Sequence, residues 1–428
     1  MDIVHIPRRF TRQDWGGTET VVLETCKRLL RMGHRTEILC PNALAQNDYE
    51  VIEGVPVRRV PYFYPYWRLR PEAKRQLDKK GGNLFSFALM KALRDYPHLD
   101  LIHLHTMKRV GGIGRYVARQ RRIPYVVSLH GGVYDVPAEE ARSWTAPTEG
   151  AIEWGKVLGW WVGSRRVLAD AAAILCVGQR EQEETQRRYP HKRIIHLPNG
   201  VDPDRFARGD GARFRRHHGI PPAARVILTM GRIDPQKNQR LAVRVLPELL
   251  KTDPHVHLLL IGPVTNEAYH RELVDEVRQR GIERHVTIIP GLEAGSQDLV
   301  DAYHAADVFL LPSIHEPFGI VILEAWAAGR PVVASRVGGV PSFVVHGRDG
   351  LLFDPHDERA CGQAISELLA HPQRRRSLAE AGRAKARREY SWDRITERLV
   401  DIYQEVIREN PLRQRKMWVL RWRRTEYC

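Results

Sequence analysis

The chain has 428 residues, of which 43% are hydrophobic and 28% are charged, so it has the length and composition of two globular domains. No apolar run approaches the roughly 20 residues that span a bilayer, which argues against an integral membrane protein. The formal net charge of +16 predicts an anionic partner, with nucleic acid, anionic lipid and phosphorylated small molecules all open.

The amino terminus and the cysteines indicate a reducing compartment. The first residues, MDIVHIP, enter a strand-like run at once and show no secretory signal, which predicts a cytoplasmic protein. The cysteines are scattered and odd in number, which favours buried thiols over a disulfide framework or a metal site. They are Cys26, Cys40, Cys176, Cys361 and Cys428.

Strand candidates alternate with helical patterns along both halves of the chain. In the first half, a helix predicted over Thr20–Met32 separates two strands, and the same alternation continues to residue 200. The strands are DIVHI, TEILC, DLIHLH (100–105), YVVSLH (125–130) and AILCV (173–177). A second series follows residue 211, with RVILTMG, VHLLLIG, HVTIIPG, ADVFLLPS, PVVAS and GLLF. This alternation predicts two α/β units with mostly parallel sheets.

The segment between the two series, residues 197–211, is rich in turn-forming Pro, Gly, Asn and Asp and is predicted to be the linker. We therefore predict an amino-terminal domain over 1–200 and a second domain over 201–388. The remainder, 389–428, combines a basic, aromatic tail with a helix running from an N-cap at Ser391 to about Asn410. Ligands of such sheets bind beyond the carboxyl ends of the strands.

Two glutamates flank a Pro and a Gly in HEPFGIVILEAW (315–326). Glu316 follows a predicted strand, and Glu324 projects from the helix that Gly319 allows to begin. The helix amino terminus offers unpaired N–H groups over residues 318–321 for an anion or for hydroxyls. Both carboxylates suit hydroxyl groups of one ligand, although each could equally be a solvated or salt-bridged side chain.

Two cations follow another strand in GRIDPQKN (231–238). Arg232 and Lys237 together suit a diphosphate, the first as a planar fork and the second as a mobile point charge. In the first domain, Gly16 and Gly17 form a turn where backbone could approach a substrate. His130 ends a strand and could donate to a sugar hydroxyl or to the reacting centre.

These motifs, in this order, resemble the retaining glycosyltransferases of family 4, which have the GT-B fold. The resemblance rests on the stretch from Glu316 to the Gly-Gly-Val-Pro element, on Gly231-Arg232 with Lys237, on PNGVD at the linker, and on FDPHDERACGQAISELL. It covers nearly the whole chain. It implies two Rossmann-like domains facing each other across a cleft, of which the first takes the acceptor and the second takes the nucleotide sugar.

The resemblance also implies roles for single residues. Arg232 and Lys237 would hold the donor diphosphate, Glu316 the sugar hydroxyls and Glu324 the ribose hydroxyls. Backbone N–H groups would face sugar and phosphate, one loop would lie near the base, and three residues would close the cleft from the first domain. The backbone donors are those of Phe318, Gly319 and Ile320, and the loop near the base contains Gly291 and Leu292. The residues that close the cleft are Gly16, Gly17 and His130.

The resemblance implies same-face attack with retention and no side-chain base, although a covalent route through Glu316 stays open. No cofactor and no metal are expected, because the DPD at 202–204 suits a turn better than a metal site. Ser342 stands where the family often has Glu, so that position is assigned no role. The donor is expected to be a UDP-linked hexose or GDP-mannose.

Aromatic and basic residues interleave over 60–80 and again over 411–424, which suits an anionic bilayer surface. We therefore expect a glycan or lipid-linked acceptor of cell-surface or exported polysaccharide, with peripheral contact at the inner face of the plasma membrane. Alternatively, the tail packs on the first domain.

Three other classes of protein are alternatives. Against a nucleic-acid-binding protein, the sequence contains no recognisable RNA- or DNA-binding module. The only evidence for a dinucleotide-dependent oxidoreductase is the segment GGIGRYV (111–117). A non-catalytic sugar-nucleotide-binding relative also stays open.

Overall fold

The computed structural model describes residues 1–12, 15–79, 81–131, 134 and 146–410. The chain divides into two compact units, Met1–Leu197 with the chain from Ile395 onward, and Pro198–Arg394. The expected linker therefore begins at this division, and its later part folds into helix α8 (Pro203–Phe206). In the described part of the chain, no helix is both long and apolar enough to cross a membrane.

The first unit is built on an eight-stranded sheet in the order β10-β9-β7-β6-β1-β2-β4-β3, in which only β3 pairs antiparallel to its neighbour. The sheet strands are β1 (Asp2–Ile6), β2 (Arg35–Pro41), β3 (Tyr49–Ile52), β4 (Val55–Val60), β6 (Leu101–Leu104), β7 (Tyr125–Leu129), β9 (Ala173–Cys176) and β10 (Ile194–His196). The short strands β5 (Tyr66–Trp67) and β8 (Ile152–Glu153) pair separately. The helices are α1 (Gly17–Arg31), α2 (Pro71–Lys79), α3 (Phe87–Arg94), α4 (Lys108–Arg121), α5 (Lys156–Trp161), α6 (Val167–Asp170) and α7 (Gln179–Arg188).

The second unit contains a six-stranded, wholly parallel sheet in the order β13-β12-β11-β14-β15-β16. Its strands are β11 (Arg225–Met230), β12 (Val256–Ile261), β13 (Val286–Ile289), β14 (Val308–Leu311), β15 (Val332–Ser335) and β16 (Leu351–Phe353). Besides α8, its helices are α9 (Gly211–His217), α10 (Gln239–Thr252), α11 (Glu267–Gln279), α12 (Gln297–Ala305), α13 (Ile320–Ala327), α14 (Glu358–Ala370) and α15 (Pro372–Glu389). Helix α16 (Trp392–Glu409) starts in this unit and continues into the first.

Local sequence explains most of these elements. The central strands are buried along their whole length, as apolar runs in a parallel sheet must be when helices cover both faces. Several helices begin at a polar residue whose side chain accepts a backbone N–H of the first turn, which satisfies an otherwise unpaired donor. These caps are Ser86, Asp202, Asp210, Asn266, Ser296 and Asp357.

The GGIGRYV segment lies inside helix α4 and not between a strand and a helix. Its glycines allow close packing, since a Cβ atom on Gly111 would lie 2.4 Å from the carbonyl oxygen of Thr106, and one on Gly112 would lie 2.6 Å from Val162. A dinucleotide fingerprint needs its glycines at the strand-to-helix turn, so the oxidoreductase interpretation of this segment is wrong. Cys26, Cys40, Cys176 and Cys361 are buried free thiols, and Cys428 lies outside the described residues.

Each sheet has one point at which the strand order changes direction. In the first sheet, β1 lies between β2 and β6, and in the second, β11 lies between β12 and β14. The loops that leave two such neighbouring strands diverge to opposite faces, which opens a crevice at the carboxyl ends. Gly16 and Gly17 follow β1, Arg232 and Lys237 follow β11, and Glu316 follows β14, so these predicted residues fall at the two places. His130 and Leu292 follow β7 and β13, which lie farther out in their sheets.

Candidate active site

The site in the second unit is built from loops that follow four adjacent parallel strands. They are residues 231–238 after β11, 262–266 after β12, 290–296 after β13 and 312–319 after β14. Because all these strands run parallel, their carboxyl ends meet at one edge of the sheet. Arg232, Lys237, Leu292 and Glu316 therefore share this edge, as the sequence predicted for residues that follow strands.

A buried ion pair joins the loops after β11 and β14. The Lys237 ammonium nitrogen lies 2.5 Å from Glu316 Oε2, and the two side chains are only 15% and 8% exposed. The Ser313 hydroxyl donates to the same carboxylate oxygen at 3.3 Å. The sequence identified both charged residues but did not predict that they contact each other, 79 positions apart.

Arg232 lies on the same loop and keeps part of its guanidinium in solvent, with a side chain 39% exposed. Its Nη2 donates to Gln236 Oε1 at 2.9 Å and lies 3.3 Å from Asp234 Oδ2. Gln236 in turn donates to the carbonyl oxygen of His315, which ties this loop to the one that carries Glu316. Since a guanidinium has five N–H donors, Arg232 retains donors for an anion.

The turn at Phe318 and Gly319 presents backbone donors at the start of helix α13. Gly319 has φ +95°, which a glycine adopts without strain, and the helix begins at Ile320. Within the described part of the chain, the N–H groups of Phe318 and Gly319 donate to no other residue. Together with the first helical N–H of Ile320, these are the backbone donors of a helix amino terminus, and their contact with an anion or with hydroxyl groups stays a prediction.

The Gly-Gly-Val-Pro element, residues 338–341, packs against the backbone that leads into this turn. The Gly339 N–H donates to the carbonyl oxygen of Glu316 at 3.0 Å. A Cβ atom on Gly338 would lie 2.0 Å from that same oxygen, and one on Gly339 would lie 2.2 Å from the carbonyl oxygen of Pro317. Glycine is therefore required at both positions so that the two backbones can lie against each other.

Glu324 projects from helix α13 and accepts a hydrogen bond of 2.5 Å from the Tyr303 hydroxyl. Burial raises the pKa of this carboxyl group, while the Tyr303 hydrogen bond and the positive charge of Arg205 act in the opposite direction. Burial also raises the pKa of Tyr303 well above its ordinary value, so the phenol is the proton donor of this pair.

The loop after β13 carries the predicted base-side residues. Gly291 has φ +108° and Leu292 is half-buried. Arg205 holds the same loop, since its Nη2 donates to the carbonyl oxygen of Ala294 at 2.7 Å.

Gly16, Gly17 and His130 lie in the first unit. Gly16 is the N-cap of helix α1 and Gly17 its first residue, so the helix starts three residues before the predicted Thr20. The Gly16 N–H donates to Glu19 Oε2 at 3.1 Å, which satisfies the backbone donor of the N-cap residue. His130 directly follows β7, and its Nε2 lies 2.9 Å from Nδ1 of His105.

Sequence reasoning missed several residues that organise the second unit's site. Ser313, Gln236, Tyr303 and Arg205 each contact a predicted residue or its loop. Ser313 and Gln236 carried a signal, since each stands near the end of a strand beside a predicted residue. Tyr303 and Arg205 reach the site from helices, and no local pattern marks them.

The DPD segment serves the fold. The Asp202 carboxylate caps helix α8 by accepting the Arg205 N–H at 3.0 Å, and Asp204 lies 2.6 Å from Arg387. Both contacts agree with the interpretation of this segment as turn chemistry.

Two protein-family models match the chain. The model for glycosyl transferases group 1 matches residues 210–385, and the model for glycosyltransferase family 4 matches residues 15–205. The chain is also similar to the D-inositol 3-phosphate glycosyltransferase of Saccharomonospora viridis, with 31% identity over 92% of this chain and 90% of that protein. The chain therefore belongs to the family 4 glycosyltransferases.

Solved structures agree with this fold. Sucrose-phosphate synthase from Thermosynechococcus elongatus has a TM-score of 0.71 at 22% identity and covers 95% of this chain and 98% of its own. Anabaena HepE, solved in complex with UDP, has a TM-score of 0.69 at 20% identity and covers 95% of this chain and 100% of its own. At these identities the likeness establishes the GT-B fold, which confirms the predicted fold class.

We predict that Lys237→Met lowers the free energy of unfolding by about 3–5 kcal/mol at pH 7, because it leaves Glu316 buried and uncompensated. The double variant Lys237→Met with Glu316→Gln should lose clearly less than the two single losses summed. Urea-induced unfolding measures both.

Lys251→Met is the matched control. Lys251 pairs with Glu248 at 2.7 Å, but their side chains are 69% and 73% exposed, and the loss should stay within about 1 kcal/mol. Equal losses for the two lysine variants would contradict a stabilising buried pair.

Proposed function

We propose that the protein is a retaining, metal-independent glycosyltransferase that moves a hexosyl group from a nucleotide-diphosphate sugar to a glycan or lipid-linked glycan. The observation that carries this proposal is the edge of the second sheet, where Lys237, Glu316 and the donors at Gly319 lie together in a family 4 chain. In this proposal the protein acts in the cytoplasm, in the synthesis of a cell-surface or exported polysaccharide such as lipopolysaccharide.

The chemistry follows from the charges at this edge. Arg232, Lys237 and the backbone N–H groups stabilise the negative charge that grows on the diphosphate as the glycosidic bond breaks. Glu316 accepts hydrogen bonds from sugar hydroxyls, and Glu324 accepts them from the ribose. The departing phosphate takes the acceptor's proton on the same face, so configuration is retained without a side-chain base.

UDP-hexoses are the first donors to test, with GDP-mannose next. Anabaena HepE, which shares this fold, has been solved with UDP and with UDP-glucose.

We predict that one nucleotide sugar from a panel of UDP-, GDP-, ADP- and dTDP-linked sugars raises the unfolding temperature selectively. A ligand that binds only the native state stabilises it by about 2.7 kcal/mol at 100 times its Kd. Arg232→Ala should abolish the rise because it removes donors to the diphosphate.

The control is Arg225→Ala, at the opposite end of β11. Arg225 is similarly exposed, at 41%, and lies 3.8 Å from Asp253. This variant should keep the full rise. No rise with any donor, together with tight binding to RNA or DNA, would overturn the transferase proposal.

A second prediction concerns the reaction itself. With the donor that stabilises the protein, transfer should continue at an unchanged rate in EDTA, and the anomeric proton of the product should show the donor's configuration in NMR spectra. Loss of activity in EDTA would refute metal independence, and an inverted product would refute same-face attack.

The acceptor is suggested by an exposed aromatic surface on the first unit. Stacked or tilted ring contacts of 5.9–6.4 Å join Trp67, Trp154, Phe63, Phe87 and Trp161 into one patch. Trp160 is 84% exposed and Val157 is 69% exposed on the adjoining helix α5. Apolar patches of this kind mark protein or membrane contacts.

The charged residues around this patch favour contact with a membrane over contact with a protein. The segments 63–70, 85–94 and 152–166, which carry this patch, contain seven Lys or Arg residues and one acidic residue. That residue, Glu153, is paired with Arg109, while Lys91 and Arg166 are paired with Asp95 and Asp170, which lie just outside these segments. Exposed tryptophans beside cations suit an anionic bilayer surface, at which a lipid-linked acceptor would be presented. The second predicted membrane segment, 411–424, lies outside the described residues.

A phosphorylated small molecule is the second candidate acceptor. Relatives that share 31% identity over nine tenths of their length are D-inositol 3-phosphate glycosyltransferases, including that of Actinosynnema mirum. Inositol 3-phosphate therefore belongs in the acceptor panel beside polyprenyl-linked glycans.

We predict that the protein sediments with vesicles that contain anionic lipid and not with pure phosphatidylcholine, and that Trp160→Ser with Val157→Ser reduces this binding at least tenfold. The control is Tyr49→Ser with Val51→Ser on edge strand β3, where the side chains are 61% and 54% exposed. Equal binding by all three proteins, or no binding to anionic vesicles, would remove the support for a membrane-bound acceptor.

A further inference from the structure

Four histidines lie side by side on one face of the first sheet. Register explains their meeting: His5 of β1 is paired with His103 of β6, so the two side chains point to the same face. His105 lies two residues beyond His103 and returns to that face. His130 lies two residues beyond Ser128, whose hydroxyl contacts His103 Nε2 at 2.7 Å.

Three of these rings form a continuous hydrogen-bonded row. His5 Nδ1 lies 2.9 Å from His105 Nε2, and His105 Nδ1 lies 2.9 Å from His130 Nε2. His103 stands beside the row, with its two ring nitrogens 2.5 Å from the Tyr403 hydroxyl and 2.7 Å from the Ser128 hydroxyl. His5, His103 and His105 are buried in this unit, and so is Tyr403.

A metal site explains these contacts less well. Ring nitrogens of His5, His103 and His105 do lie within 4.8 Å of one another. However, both nitrogens of His103 already contact hydroxyl groups, and the short contact between His5 and His105 is that of a hydrogen bond between two rings.

The rings of the row are neutral near pH 7. Burial lowers the pKa of His5 to about 3 and that of His130 to about 4, and it lowers the pKa of His105 well below its ordinary value. A neutral imidazole has one N–H donor and one lone pair. Each contact between two rings needs one N–H donor and one lone pair. The N–H groups of all three rings must therefore point the same way along the row, either all toward His130 or all toward His5.

Only two arrangements satisfy this condition. In one, His5 donates to His105, His105 donates to His130, and His130 keeps its proton on Nδ1. In the other, every proton is moved to the opposite nitrogen, and the free N–H belongs to Nε2 of His5. Within the described residues, both terminal atoms, His5 Nε2 and His130 Nδ1, are buried and have no partner.

The two ends of the row are not equivalent. His5 is fully buried within the sheet, where an N–H group on Nε2 would have no acceptor. His130 stands at the carboxyl end of β7, the side on which open α/β sheets bind ligands, and the residue as a whole is half-buried, although its Nδ1 atom is buried among the described residues. The first arrangement therefore places the free N–H at the end where a ligand oxygen can accept it.

We propose that His5 and His105 are positioning residues that fix the tautomer of His130, so that His130 acts on the substrate as a hydrogen-bond donor through Nδ1. This inference rests on the proposed transferase function for the identity of the acceptor atom, a sugar or phosphate oxygen. His5 and His105 act only through His130 and touch no substrate.

The test is made without substrate, on protein labelled with ¹⁵N-histidine. We expect the ¹⁵N NMR signals of His130, assigned by their loss in His130→Gln, to show a protonated Nδ1 and a bare Nε2. His5→Asp puts a hydrogen-bond acceptor in the place of His5 Nδ1, so His105 should donate from Nε2 and His130 should change to the Nε2–H form. His5→Asn should keep the wild-type pattern, because the asparagine amide nitrogen takes the place of His Nδ1.

A protonated Nε2 on His130 in the wild-type protein would overturn the proposal, and so would an unchanged pattern in His5→Asp with native unfolding behaviour. If His5→Asp does not fold, the wild-type and His5→Asn spectra still decide the direction of the row. Failure of the donor panel would leave these spectra unaffected, so the two proposals fail separately.

Once a donor and acceptor are known, rates give a second readout. His5→Asp should lower kcat/KM about tenfold in the wild-type background. It should have no further effect in His130→Asn, whose amide nitrogen donates from the Nδ1 position without help from the row. Equal losses in both backgrounds would show that His5 acts only on folding.

Discussion

The contact between Lys237 and Glu316 joins two loops that leave neighbouring strands on either side of the change in strand order. A charge without a partner could not be buried at this edge, so each loop must hold its charged side chain against the other. Gln236, which bonds the backbone of His315, and Gly339, which bonds that of Glu316, fix the same two loops. The geometry of the edge therefore depends on compensation of charge as much as on packing.

This compensation has a chemical consequence. The ammonium group of Lys237 and the carboxylate of Glu316 neutralise each other at this edge. A ligand that offers phosphate oxygens to Lys237 and hydroxyl groups to Glu316 can satisfy both ions again without leaving either one buried alone. A simple phosphate supplies only the first of these partners. The pair therefore suits a molecule that carries phosphate and polyol groups together, as the proposed donor does.

Most of the fold could be predicted from the sequence because buried parallel strands are continuous apolar runs. Every strand predicted from such a run is present, with ends that differ by one or two residues. Strands β3, β4, β5, β8 and β10 were not predicted, and β5 and β8 have only two residues each, which give no periodic signal. Residues that directly follow strands, such as Arg232 and Glu316, were predictable because the carboxyl ends of parallel strands lie at one edge of the sheet. Tyr303 was not, because its contact with Glu324 depends on how two helices pack.

The histidine row shows where sequence reasoning must stop. The spacing of His103 and His105 already indicates a common face, but nothing local indicates that His5, about 100 residues away, is their neighbour. Parallel pairing has no preferred partner in sequence, and a shift of one residue would turn His5 to the opposite face. Since the row also needs neutral rings, its hydrogen-bond direction follows only when register and burial are known together.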